Sequence, residues 1–140
     1  MAALALMTVR LPTEREVLRR IYDMYEASYP GARPGEHDPM LPIDIHAVAE
    51  KLECKPQLLF GYLYYHLDKK HRYQTGPNVY VHLFTPRAGE MRHAVNFPYL
   101  AAILATHDQE HSKFAWSLGV SLVALALSVG GIIAQLLAAR

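Results

Sequence analysis

Residues 114–139 read FAWSLGVSLVALALSVGGIIAQLLAA and contain no Asp, Glu, Lys or Arg. At about 1.5 Å per residue this run makes a helix of about 39 Å, against about 30 Å of bilayer hydrocarbon. Apolar residues occupy every face of it, whereas a helix on the surface of a water-soluble domain keeps a polar side. Its polar residues are Ser117, Ser121, Ser128 and Gln135. Serine hydroxyls can bond back to their own helix, and Gln135 lies near the end. Trp116 stands at the entry, where an amphipathic ring suits the headgroup layer, with Lys113 just before the run and Arg140 just after it. A fully buried core helix would need a large shell around it, and the preceding 113 residues are too few to supply one. The stretch is expected to be a single transmembrane helix.

The remaining sequence is ordinary in polarity, so the near-zero mean hydropathy of the whole chain averages two unlike parts. The single cysteine, Cys54, excludes an intrachain disulfide framework and fits a reducing compartment. MAALALMTVRLP lacks the basic start and long apolar run of a signal peptide. The expected arrangement is a bacterial-type, single-pass, tail-anchored membrane protein with its soluble domain in the cytoplasm.

Local signals order the soluble part. Thr13-Glu14-Arg15-Glu16 has the form of a capping box, followed by Val17, Leu18, Ile21, Tyr22 and Tyr25 at helical spacing. A helix over 13–28 is predicted. Residues 29–42 hold four prolines and two glycines and read as a loop, with an extended segment at 40–43. Asp44 can cap a short helix over 45–52, with Ile45, Val48, Ala49 and Leu52 turned inward. After the turn Glu53-Cys54-Lys55, Pro56 suits the first position of a helix reaching about residue 70, where Leu59, Leu63, His66 and Leu67 form one stripe. Tyr73-Gln74, the turn Thr75-Gly76-Pro77-Asn78 and the run 79–84 predict a β-hairpin. Residues 87–96 read as a linker, 97–113 as a juxtamembrane helix that no breaker separates from the transmembrane span 114–139.

The order helix, extended segment, short helix, tight turn, longer helix and hairpin resembles a winged helix-turn-helix domain. The likeness is carried by PIDIHAVAEKLECKPQLLFGYLYYHLDKKHRYQTGPNVYVHLF, residues 42–84. The resemblance implies a mainly α fold, a compact three-helix core with a small β-wing over 1–86, and a third helix of the kind that enters a DNA major groove. The residues of that helix point elsewhere. Residues 1–86 carry ten basic and ten acidic side chains, whereas affinity for duplex comes mainly from Lys and Arg on phosphates. After Lys55 and Gln57 the helix presents Phe60, Gly61, Tyr62, Tyr64 and Tyr65, and tyrosine and phenylalanine favour protein interfaces. The expected surface for a protein partner is Tyr62, Tyr65, Asp68 and Lys69, with the turn residues Gly76 and Asn78. The competing expectation is a membrane-tethered DNA-binding regulator using Lys55, Gln57, Lys69, Lys70 and Arg72.

His107-Asp108-Gln109-Glu110-His111 matches the H-x-x-E-H pattern of inverted zinc peptidases, with two imidazoles on one helix face and Glu110 beside them. Only two residues separate it from the apolar run, leaving no room downstream for a third ligand or a substrate cleft, so the match is read as incidental. His37, His46, His66, His71, His82 and His93 show no ligand spacing with Cys54. No phosphate-binding glycine loop and no partnered nucleophile is present. The chain is read as non-enzymatic, without catalytic residues, metal or cofactor. Ala126, Gly130 and Ala134 fall four apart, a small-residue ridge on which two such helices can pair in the bilayer as a homodimer.

Overall fold

The computed structural model describes residues 11–29, 39–87 and 92–140, which are mainly helical with short antiparallel strands. The chain divides into two units, residues 1–104 and 105–140. Residues 30–38 of the expected proline-rich loop and 88–91 of the expected linker lie outside the described residues.

In the first unit, α1 (Glu14–Tyr25) opens on the capping box: the Thr13 backbone N–H donates to the Glu16 carboxylate at 2.7 Å, and the Glu16 N–H donates to the Thr13 hydroxyl at 3.3 Å. Its buried side is Val17, Leu18 and Ile21. A single 3-10 turn (Glu26–Ser28) ends it. Strand β1 (Met40–Ile43) leads to α2 (Ile45–Lys51), where the Asp44 carboxylate accepts from the N–H groups of His46 and Ala47. Helix α2 stops at Glu53, whose φ is 54°. The Cys54 N–H donates to the Ala49 carbonyl and the Glu53 N–H to the Glu50 carbonyl, the bond pair of a left-handed helix cap.

Residues 56–71 form one helical stretch: α3 (Pro56–Gly61), a π segment (Tyr62–Asp68) and α4 (Lys69–His71). Pro56 begins it, as its missing N–H allows. Leu59, Leu63 and Leu67 are buried, and so is Asp68. Spacing at 3.6 residues per turn puts Asp68 about two and a half turns beyond Leu59, on the opposite side. The wider π turn reverses that expectation, carrying Asp68 inward and leaving His66 exposed and stacked on Tyr62, with ring centroids 5.1 Å apart.

The expected hairpin divides as well. Strands β2 (Tyr73–Gly76) and β3 (Val79–Val81) pair around Pro77 and Asn78, with Asn78 at φ 56°. The run then leaves that pairing, because the N–H groups of Leu83 and Phe84 donate to Asp68 instead, at 2.8 and 3.1 Å. Phe84 begins β4 (Phe84–Arg87), which pairs with β5 (Arg92–Asn96). The segment read as a linker therefore contains the central strand of a three-stranded sheet ordered β1-β5-β4. Leu41, Val95 and Phe84 fall in one row across it, all buried. Each edge strand carries a proline, Pro42 or Pro86, which removes a donor from the edge.

Helix α5 runs Phe97–Ala138. Phe97, Leu100, Ile103 and Leu104 belong to the core of the first unit, and Tyr22 and Tyr29 stack on Phe97 at 5.3 and 4.9 Å. The second unit is the remainder of this helix, in which every residue from Gln109 onward is exposed. It is long and apolar enough to cross a membrane, and none of its most apolar window is buried.

Candidate functional site

The helical stretch 56–71 carries most of the residues singled out by sequence, and its burial pattern sorts them. With Leu59, Leu63, Leu67 and Asp68 inward, the outward residues are Gln57, Leu58, Phe60, Tyr65, His66, Lys69 and Lys70. Tyr65 is 75% exposed, the most open aromatic of the first unit, with Leu58 at 46% and Phe60 at 37%. Phe60 packs edge-on to Tyr65 at 6.3 Å, tying the two into one patch. Gly61 lies beneath the Tyr65 ring: a Cβ there would meet Tyr65 Cδ2 at 3.7 Å, an ordinary contact. Tyr62 is only half-buried, and burial first, then the Glu14 charge, raises its hydroxyl above the ordinary value.

Asp68, expected on the docking surface, is a correction: it is 6% exposed. One carboxylate oxygen accepts from Leu83 and Phe84, and the other lies 3.0 Å from His82 Nδ1. It fastens the helix to the start of β4 and is not available to a partner. Lys69 is exposed one residue on. Gly76, half-buried, and exposed Asn78 sit on the separate two-stranded sheet beyond the end of the helix.

The residues proposed for DNA scatter. Lys55 is exposed at the N-cap of α3, and Gln57 lies on the first turn. The Lys70 ammonium pairs with Glu14 at 2.7 Å, and Glu14 also holds His71 Nε2 at 2.6 Å. Arg72 lies 6.0 Å from the centroid of the Tyr80 ring. Two of the three clustered cations thus already have partners within the unit.

One feature of the first unit gives no sequence signal. A groove of about 660 Å³ opens between the end of β1 and the first turns of α2 and α3, with Pro42, Asp44, His46, Pro56, Gln57, Phe60 and His93 among its lining residues. His93 comes from β5, the strand read as a linker. Its Nδ1 lies 2.7 Å from the Tyr64 hydroxyl, and Phe60 packs edge-on to its ring at 5.6 Å. Burial, then the Asp68 charge, pushes the Tyr64 hydroxyl up to about 12. Burial, then His46, lowers His93 below its ordinary 6.5. The Tyr64–His93 bond links the helical stretch 56–71 to the sheet.

On α5, His107 is half-buried and Glu110 and His111 are exposed. Among the described residues no cluster of three His, Cys, Asp or Glu side chains can hold a metal ion. Ala126, Gly130 and Ala134 are exposed, and a Cβ at Gly130 would meet nothing within 4 Å. The Ser121 hydroxyl donates to the Ser117 carbonyl at 2.9 Å, the back-bond that lets a serine sit in an apolar helix. No protein-family model, no curated protein and no solved structure matches this chain.

Proposed function

We propose that the first unit is a winged-helix-type module held at the cytosolic face of a membrane by α5, and that it docks a protein partner there without catalysing a reaction. The topology supports the first part. An extended segment between α1 and α2 joins a hairpin that follows the third helix, as a three-helix core with a wing requires. The wing in this reading is β4–β5, and β2–β3 is an additional hairpin inserted before it. The length and composition of α5 support the second part.

The observation that carries the docking role is Tyr65, three-quarters exposed in mid-helix beside Phe60. A large ring left in water on a rigid helix forgoes the burial that stabilises a core, and such rings anchor interfaces. Duplex binding is the weaker reading, because Lys70 is committed to Glu14 and Arg72 stands against Tyr80.

The test is purification of the full chain from membranes with whatever binds it, beside the Tyr65→Ala variant. A protein partner retained by the parent and lost from the variant is the expected result. Duplex binding that falls steeply with salt, and weakens in Lys69→Ala with Lys70→Ala, would replace docking with DNA recognition. Release of the full chain by alkaline extraction would remove the membrane from the account. Protease protection in sealed vesicles reports the side on which the first unit lies.

A further inference from the structure

The π turn does more than bury Asp68. The stretch 56–71 has the sequence PQLLFGYLYYHLDKKH, and Asp68 is its only carboxylate. With that group turned inward onto Leu83 and Phe84, the outward face of the helix holds no negative charge at all. Lys55 stands at one end and Lys69 at the other, about 20 Å apart at about 1.5 Å per residue, with the Phe60–Tyr65 patch between them.

Glu14 and Asp44 are engaged within the first unit: Glu14 is held by Lys70 and His71, and Asp44 caps α2. Glu53 sits in the left-handed turn before Lys55. Among the described residues neither Lys55 nor Lys69 has an ion-pair partner.

Resting on the docking role proposed above, we infer that the occupant of this face is an acidic amphipathic segment of a protein partner. Its apolar side covers Phe60 and Tyr65, and its carboxylates meet Lys55 and Lys69. An apolar centre with charged ends matches the helix-on-helix mode of peptide recognition, in which the rim charges set register and exclude like-charged competitors. A second copy of this chain does not fit, because two such faces would bring lysine to lysine.

The test uses the full chain in nanodiscs of neutral phosphatidylcholine, with empty discs as the blank and two labelled synthetic peptides as probes. One is amphipathic, with leucine and tryptophan on one side and glutamates at both ends; the other replaces those glutamates with lysines. The expected result is binding of the glutamate peptide about tenfold tighter than the lysine peptide. That preference should invert in a Lys55→Glu, Lys69→Glu variant. Equal affinity for the two peptides, binding of neither, or a preference unmoved by the charge reversal would overturn the inference. So would displacement of the glutamate peptide by duplex DNA at low salt. Should Tyr65→Ala still weaken a bound peptide when charge reversal does nothing, docking stands and only its acidic character falls.

Discussion

Replacing Asp68 with alanine tests the feature on which the geometry of the helical stretch 56–71 depends. The substitution leaves the N–H groups of Leu83 and Phe84 without an acceptor, and both residues are at most 1% exposed. An orphaned buried donor costs about 1–3 kcal/mol, so the pair costs about 2–6 kcal/mol. That is a large share of the stability of a unit of this size, and it lowers Tm by at least about 10 °C. Asp68→Asn keeps one carbonyl oxygen for the two donors but loses the charge and turns the oxygen facing His82 into an NH2 donor, so its cost should be about half. The assay is thermal unfolding of the full chain in detergent, followed by the near-ultraviolet circular dichroism of its tyrosines. Amide exchange supplies the local readout: protection should fall first at Leu83 and Phe84. Lys69→Ala is the neighbouring control. An Asp68→Ala chain that melts with that control, within about 0.5 kcal/mol, would refute the assignment of Asp68 as the clamp between helix and sheet.

Glu53 holds φ 54°, a conformation that costs a side chain and costs glycine almost nothing. Glu53→Gly should therefore stabilise the first unit by about 0.5–1 kcal/mol, measured as a higher denaturant midpoint at unchanged slope. Leu63 is fully buried in the core of the first unit, and Leu63→Ala should cost about 3–4 kcal/mol in the same titration. The Tyr64 hydroxyl ionises at about 12 in the folded unit against an ordinary 10.0. Above pH 10 the unfolded chain loses this proton first, so the contribution is intact below pH 10 and is lost as pH rises towards 12. The ring is only half-buried, so after allowance for solvent screening the effect is about 1–2 kcal/mol, and Tyr64→Phe should abolish that part of the alkaline titration. His93 works in the opposite direction: its lowered pKa contributes stability above pH 6.5 that is lost as pH falls through the folded value.

Local chemistry carried much of the architecture. The capping box at Thr13, the Asp44 cap, Pro56 at the start of α3 and the turn at Pro77–Asn78 each depend on residues within about one turn of each other, and each formed where its signal stood. Strand β5 carried no such signal. Arg92-His93-Ala94-Val95-Asn96 has one β-branched residue and follows a break in the chain's pattern, and it is a strand because β1 and β4 pair with it from both sides. Of the residues on the helical stretch 56–71, Tyr65 and Lys69 lie outward as their helical positions suggest, whereas Asp68, expected outward, is buried and His66, expected in the buried stripe, is exposed. The α-helical period fails where the helix widens to a π turn over Tyr62–Asp68.

The apolar run 114–139 could be read without any fold, since whether a side chain prefers hydrocarbon to water is a property of that side chain and its immediate neighbours. The inward turn of Asp68 had to await the tertiary structure. Its acceptors' partners, the N–H groups of Leu83 and Phe84, lie 15 and 16 residues away, and only the folded sheet brings them within 3.1 Å. The Tyr64–His93 bond spans 29 residues for the same reason. A carboxylate exchanges water for two backbone donors when the chain around it has closed, so the face that the helix presents was decided by contacts that no local period contains.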